Sequence, residues 1–343
     1  MSKILVTGGA GYIGSHTILE ILSGNKWDVI SADNYSNSSA DTFTRIKSIT
    51  GKNVRNYTID LCNKEKATTI FKEHRDISAI IHFAAFKSVP ESVEKPELYR
   101  HNNMDSLANM LWCVKEFNIP HFIFSSSCSV YGQIDKLPVN EDTPFNKALS
   151  PYGETKQKGE EMLMDFCKTN AASVKTIALR YFNPAGAHPS GKIGEMPTER
   201  PNNLAPMITG TAMGKYKELL VHGHDYPTRD GTCVRDYIHV CDIARAHTDA
   251  LTYLENNKTA SAFSVFNLGS GNGVTVLEMI KAFEKVSGKK LNYRLGERRS
   301  GDVASIYTDI NKAMNILHWK PIYTLDEMML SAWKWELAYN RKS

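Results

Sequence analysis

No run of about 18 consecutive apolar residues occurs in this 343-residue chain, so a membrane-spanning helix is not expected. The opening MSKILVTGG holds an apolar run of about three residues before turning to glycine, too short for the centre of a secretory leader. Cysteine is sparse: Cys62, Cys113, Cys128, Cys167, Cys233 and Cys241 are scattered and none form a CxxC. Reduced thiols, and with them a cytoplasmic location, are the expectation. Neither charge sign dominates, since 41 basic and 37 acidic residues are interspersed; that excludes the one-sided basic footprint of a nucleic-acid binder. ERRSG at 297–301 is long enough to grip one phosphate group and no more. HGHD at 222–225 has no third ligand at a suitable spacing, so no metal is expected. Internal repeats and low-complexity tracts are also absent.

What remains is an ordinary globular composition, 42% hydrophobic and 23% charged, with enough length for one large unit or two packed domains. KILVTGG, WDVISAD, VRNYTID, ISAIIHFAAF, HFIFSSSCSVYG and VKTIALRYFNPAG read as six short buried strands separated by helical patterns, among them 92–118. Buried strands alternating with helices predict a doubly wound, parallel Rossmann-type α/β sheet. Past residue 184 the rhythm breaks into a Gly-, Pro- and Asn-rich loop and then mixed patterns, which predict a smaller C-terminal α+β substrate domain. The expected division is 1–183 for a cofactor domain, with RDYIHV and its helix (236–258) returning to it, and 184–235 with 259–343 for the substrate domain.

TGGAGYIG places Gly8, Gly9, Gly11 and Gly14 between the first strand and the first helix, the context of a dinucleotide fingerprint. Glycines let the backbone turn sharply and approach a pyrophosphate, whose charge then sits at the helix N-terminus. Asp33 ends the second strand, 19 residues after Gly14, where an acid binds ribose hydroxyls and repels a 2′-phosphate. NAD is therefore expected over NADP. SSSCSVYG reads as a strand end with Ser125, Ser127 and Ser129 on one side and Ser126 and Cys128 on the other. In SPYGETK, Tyr152 and Lys156 stand four apart, on one helical face. An ammonium beside a phenol favours phenolate, and bringing its pKa from ~10 to about 7 takes roughly 4 kcal/mol, for which a second cation would help.

Serine, tyrosine and YxxxK behind a glycine turn resemble the extended short-chain dehydrogenase/reductase superfamily. Further stretches (DNYSNS, IHFAAFKSVPESVEKP, RYFNPAGAHPSG, PNNLAP, DYPTRDGTCVRDYIHV and ERRSGD) resemble the UDP-glucose 4-epimerase family, and the likeness runs from residue 3 to about 336. The resemblance implies an NAD-dependent homodimeric isomerase that interconverts UDP-galactose and UDP-glucose. Tyr152 would be the acid/base, Lys156 would hold the nicotinamide ribose and lower the phenol's pKa, and Ser127 would bridge Tyr152 and the sugar oxygen. The C4 hydride would pass to NAD+ and return to the other face of a 4-keto sugar.

The same resemblance implies cofactor contacts at Gly8, Gly11, Tyr12, Ile13 and Gly14, and around the adenosine at Asp33, Asn34, Asn37, Ser38, Asp60 and Leu61. Phe83, Ala84, Lys87, Asn102 and Tyr181 would complete that site. UDP-sugar contacts would come from Asn183, Asn203, Leu204, Leu220 and His222, and from Arg235, Tyr237, Arg299 and Asp302. Ile306 would border the sugar's 2-substituent or else be a core residue; its intermediate size implies a preference for hexoses with weaker action on UDP-N-acetylhexosamines. Two alternatives share the fold. A nucleotide-sugar 4,6-dehydratase needs an Asp-Glu pair where this chain has Cys128 and Ser129, and a non-catalytic NAD sensor generally loses the Tyr or Lys present here.

Overall fold

Along the first strand, Ile4 and Val6 pack into one apolar layer while Leu5 packs into another, so a covered sheet follows from the run of buried residues alone. The computed structural model of the chain describes residues 2–134, 136–197, 200–256, 261–299 and 302–340. In chain order the strands are β1 Lys3–Thr7, β2 Asp28–Ala32, β3 Arg55–Tyr57, β4 Ile77–His82, β5 His121–Ser127 and β6 Lys175–Tyr181. They continue with β7 Asn183–Ala185, β8 Leu219–His222, β9 Val234–His239, β10 Phe263–Leu268, β11 Gly273–Thr275, β12 Tyr293–Gly296 and β13 Ser305–Ile306. The helices are α1 Tyr12–Gly24, α2 Asp41–Thr50, α3 Lys64–Glu73, α4 Val89–Glu94, α5 Pro96–Arg100 and α6 Ser106–Glu116. After them come α7 Pro151–Asn170, α8 Leu204–Ala212, α9 Val240–Glu255, α10 Val276–Ser287 and α11 Leu325–Asn340.

Seven parallel strands in the order β10-β6-β5-β4-β1-β2-β3 form the main sheet, the doubly wound fold expected from the sequence. The strand order reverses between β1 and β4, so their C-terminal ends open the crevice in which such sheets bind ligands. One face is covered by α1 and α9, whose Ile18, Ile21, Ile243 and Ala246 meet Ile81, Ile123 and Ile177. The other carries Phe71, Met110 and Leu163 against Ile80, Phe122 and Ala178.

Two expectations are corrected. The strand of RDYIHV does not return to the main sheet: β9 centres a separate sheet, pairing with β7, β11 and β13, and only its helix α9 packs back on α1. The seventh main-sheet strand is β10, whose Phe266 and Leu268 complete the α1–α9 layer. The expected stretch 92–118 is α4, α5 and α6 in succession, with a wider π-type turn at His101–Asp105. A further apolar core joins α8, α10 and α11 through Ile208, Phe283, Met329 and Trp333, forming the smaller C-terminal part. No helix of the described residues is long and apolar enough to cross a membrane.

Candidate active site

The glycine turn after β1 is tight enough to forbid side chains. Gly8 has φ +68°, and a Cβ there would lie 2.8 Å from Ala84 N; one on Gly14 would lie 2.3 Å from Gly8 O. Gly11 caps α1 with no side-chain hydrogen bond, leaving the first amides of a 13-residue helix for a ligand. Asp33 closes this turn from β2: Oδ2 accepts the Ala10 N–H at 2.9 Å, and Oδ1 accepts the Tyr35 N–H at 2.9 Å and the Ser38 hydroxyl at 2.8 Å. A carboxylate has about four acceptor positions, so about one is left for a ribose hydroxyl. Tyr35 takes φ +61°, a conformation unusual for a bulky residue, and Asn56 donates to its hydroxyl at 2.9 Å. Asn34 turns inward on its own loop, accepting the Ser36 N–H at 3.0 Å. Asn37 and Ser38 continue that loop toward α2, and Ile13 follows Tyr12 in the first turn of α1.

Around the crevice, Asp60 Oδ1 accepts the Cys62 N–H at 2.9 Å, beside buried Leu61. Phe83 donates its N–H to Thr7 O at 3.0 Å, and its ring lies 4.8 Å from that of His247. The Tyr181 hydroxyl is 2.7 Å from His247 Nε2. Asn102 donates to Asn103 at 3.0 Å. The sequence did not point to Asn103, yet its buried amide accepts the Phe86 N–H at 2.8 Å and donates to Thr155 Oγ1 at 3.1 Å, tying the loop after β4 to α7. Tyr12 reaches across the crevice, donating to Gly186 O at 2.5 Å.

The catalytic candidates meet where α7 crosses the end of β5. Ser150 caps α7, accepting the Gly153 N–H at 3.1 Å, with Pro151 at the first helical position. Tyr152 and Lys156 then fall on one face, and the Lys156 ammonium lies 5.8 Å from the Tyr152 ring centroid. Lys156 is only 4% exposed and donates to Ser125 O at 2.6 Å. Burial pushes it down to about 7, with Glu160 opposing. Tyr152 is pushed up to about 12 by burial, with the Ser127 hydroxyl pulling the other way and Cys128 adding to the rise. The Lys156 ammonium is anchored on a carbonyl of β5, and in the ligand-free chain burial outweighs the groups that favour phenolate.

Ser129 is also corrected. The strand ends at Ser127, whose Oγ accepts the Ser129 N–H at 3.2 Å and starts a 3-10 turn, Cys128–Tyr131. Ser129 Oγ and Asn183 Oδ1 are both shielded from solvent and have no hydrogen-bond partner among the described residues. Burial pushes the Cys128 thiol up to about 12, which removes it as a nucleophile.

Of the substrate candidates, far apart in sequence, Asn183, Arg235, Tyr237 and Ile306 are gathered by the small sheet. Asn183 pairs with Tyr237 across β7 and β9, and Ile306 with Arg235 across β13 and β9. Arg235 and Arg299 converge on Asp302 Oδ1 at 3.3 and 3.0 Å, giving two guanidiniums at one point. Of the short basic run, Ser300 and Gly301 lie outside the described residues. Leu220 and His222 share the half-exposed face of β8, which pairs with β12. Asn203 precedes Leu204 at the start of α8 and donates to Glu195 Oε1 at 3.0 Å, the atom that also accepts from Lys87 at 3.0 Å. Glu195, missed in the sequence, thus joins Lys87, in the loop after β4, to Asn203, at the start of α8. Ile306 is buried with Val130, Tyr131 and Phe182, the core alternative for that position. Among the described residues no group of three or more His, Cys, Asp or Glu is placed to hold a metal.

A family profile described as GDP-mannose 4,6 dehydratase matches residues 5–331. UDP-glucose 4-epimerase of Drosophila melanogaster is 46% identical over 339 residues, covering 97% of this chain and 96% of its own length. That of Bacillus subtilis is 47% identical over 333 residues, covering 97% and 96%. Among solved structures, UDP-glucose 4-epimerase from Bifidobacterium longum in complex with NAD+ and UDP superposes with a TM-score of 0.94 at 42% identity, over 100% of both chains. The enzyme from Stenotrophomonas maltophila, with bound NAD and formylated UDP-arabinopyranose, gives 0.96 at 40% identity, again over 100% of both.

Proposed function

This chain belongs to the UDP-glucose 4-epimerase family, and from that premise we propose that Tyr152, Lys156 and Ser127 carry the interconversion of UDP-galactose and UDP-glucose with retained NAD. The observation that carries the reading is the meeting of α7 with the end of β5, beside a glycine turn that leaves room for backbone alone. Gly8, Gly11 and Gly14, with the open start of α1, would hold the pyrophosphate, and Asp33 the adenosine ribose. Lys87, Asn102, Lys156 and Tyr181 would flank the rest of the dinucleotide. Bound NAD+ supplies a reversible two-electron acceptor and a positive ring.

Within the protein, Tyr152 takes and returns the proton of the sugar 4-hydroxyl, with Ser127 linking the two oxygens. Because Lys156 is buried and Tyr152 half-buried, the charge on either is sensitive to its neighbours. Arg235 and Arg299 take the UDP diphosphate, and Asn183, Asn203 and Tyr237 its remaining polar groups. The sugar must turn over while the nucleotide stays anchored, which a fixed diphosphate clamp permits. Cys128 and Ser129 offer no acid pair for water elimination, which favours epimerisation over the dehydratase chemistry named by the wider family profile.

We also propose a homodimer through α4 to α7, supported by the exposure of Val89 (46%), Val93 (62%), Leu98 (40%) and Met164 (36%) on these packed helices. Six free cysteines support a reducing, cytoplasmic setting. Product analysis from UDP-galactose, UDP-N-acetylgalactosamine and dTDP-glucose, without added cofactor, tests the substrate reading. UDP-glucose as the main product is expected, with slower N-acetyl conversion; a 4-keto-6-deoxy product would overturn it.

A further inference from the structure

Helix α7 presents Tyr152, Lys156 and Glu160 at successive four-residue steps, and each addresses one of three consecutive serines at the end of β5. The Tyr152 phenol interacts with the Ser127 hydroxyl, and Lys156 donates to Ser125 O at 2.6 Å. Ser126 donates to Glu160 Oε1 from the opposite face of the strand. Glu160 is 1% exposed and takes both arms of the Arg180 guanidinium, Nε to Oε1 at 2.9 Å and Nη2 to Oε2 at 2.7 Å. Arg180 then donates to the Tyr131 hydroxyl at 2.9 Å, Tyr131 to Asn267 at 2.6 Å, and Asn267 to Thr308 at 2.8 Å. Thr308 N–H ends the chain on Asp236 at 3.1 Å, in the strand that carries Arg235.

We propose that Glu160 is a positioning residue of the epimerisation, holding the serine triplet in register with α7 and placing a buried carboxylate one helical turn from the Lys156 ammonium. The inference rests on the reading of Tyr152 and Lys156 given above. Ion pairs this deeply buried are seldom a net gain in stability over apolar packing, so a functional reason for the pair is worth seeking. The groups facing Lys156 among the described residues are Tyr152 and Glu160 on its own helix, His82 at the end of β4, and the Phe124 ring at 4.9 Å. His82 is held neutral by burial, down to about 3, so it brings no balancing charge. Arg180 on β6 is neutralised by the same carboxylate, and Tyr181 beside it faces Tyr152. Glu160 is the anion that opposes the burial of Lys156.

The test is Glu160→Gln, purified with its NAD and assayed on UDP-galactose from about pH 4.5 to 10. Glutamine keeps a hydrogen bond for Ser126 but leaves Arg180 uncompensated beside Lys156. A lysine with a lowered pKa loses its proton earlier as pH rises, so the alkaline limb of kcat should move down by roughly one to two pH units, with KM little changed. Carbon-13 NMR of the lysine ε-carbons, with Lys156→Ala to assign the signal, should show the same displacement independently of turnover. Should Glu160→Gln not fold, the double variant E160Q/R180M removes both charges, and a smaller shift in the same direction is expected. An alkaline limb and a Lys156 titration that stay where the wild type has them, in whichever variant folds, overturn the proposal. Lys156→Ala separates the two readings: if it keeps full activity, the role of Lys156 fails. If it loses activity while the Glu160 variant's limb is unmoved, only the role of Glu160 fails.

Discussion

Tyr152 and Asp33 were both legible as single residues, one from its spacing to Lys156 and one from its distance past the glycine turn. Their surroundings were not, because burial and hydrogen bonding are set by segments far away in sequence. Burial opposes the ionisation of Tyr152, so the phenol's acidity depends on charge brought near it rather than on Lys156 alone. Tyr152→Phe is expected to keep its NAD and lose at least about two orders of magnitude in turnover, the usual scale for a general acid/base. Near-normal turnover would remove Tyr152 from the mechanism. Asp33 holds three donors of the cofactor loop besides any ribose, so Asp33→Ala should lose both NAD retention and discrimination against NADP. Asp33→Asn, which keeps acceptors but not charge, should lose mainly the discrimination. Bound nucleotide per protein and the ratio of the two Kd values measure this; a wild type that binds NADP as well as NAD contradicts it.

Among the elements, α7 and the six strands followed from periodicity, whereas sheet membership did not. RDYIHV is a strand by composition, but its partners β7, β11 and β13 lie dozens of residues away, and nothing local distinguishes them from the main sheet. SSSCSVYG alternates like a strand throughout; the turn at Ser127 comes from one side-chain bond to Ser129 N–H, which competes with the ladder. Glu160 carried a readable signal, four residues past Lys156, but its partner Arg180 could be identified only once β6 was placed beside β5. The close approach of α7 to β5 also hangs on Gly159, where a Cβ would come within 2.7 Å of Phe124 Cζ. Alanine there gains about 1 kcal/mol of helix propensity but forces a well-packed contact open at roughly 1–3 kcal/mol. Gly159→Ala should therefore lower the urea midpoint and reduce turnover together, because Phe124 lies against Lys156. A stabilised and fully active variant contradicts that packing argument.

At the scale of the whole molecule, burial leaves four histidines neutral at His16 and His247, each down to about 4, and His82 and His239, each down to about 3. The unfolded chain protonates them near 6.5 while the folded chain does not, so folding loses stability as pH falls from about 6.5 toward 4, by about 1.4 kcal/mol per unit for each. Asp249, raised to about 6, and the raised Asp236 and Asp242 oppose part of this. Urea midpoints at pH 6.5 and 4.5 should differ by a few kcal/mol in stability; a flat profile would contradict the burial of these histidines. The central claim, that hydrogen leaves the sugar C4 and returns within one closed site, is tested most directly by running the reaction in D2O. Purified protein with no added cofactor should convert UDP-galactose to UDP-glucose with no solvent deuterium at C4, and Tyr152→Phe should barely convert it. Deuterium appearing at C4, or conversion that depends on added NAD, would contradict the account.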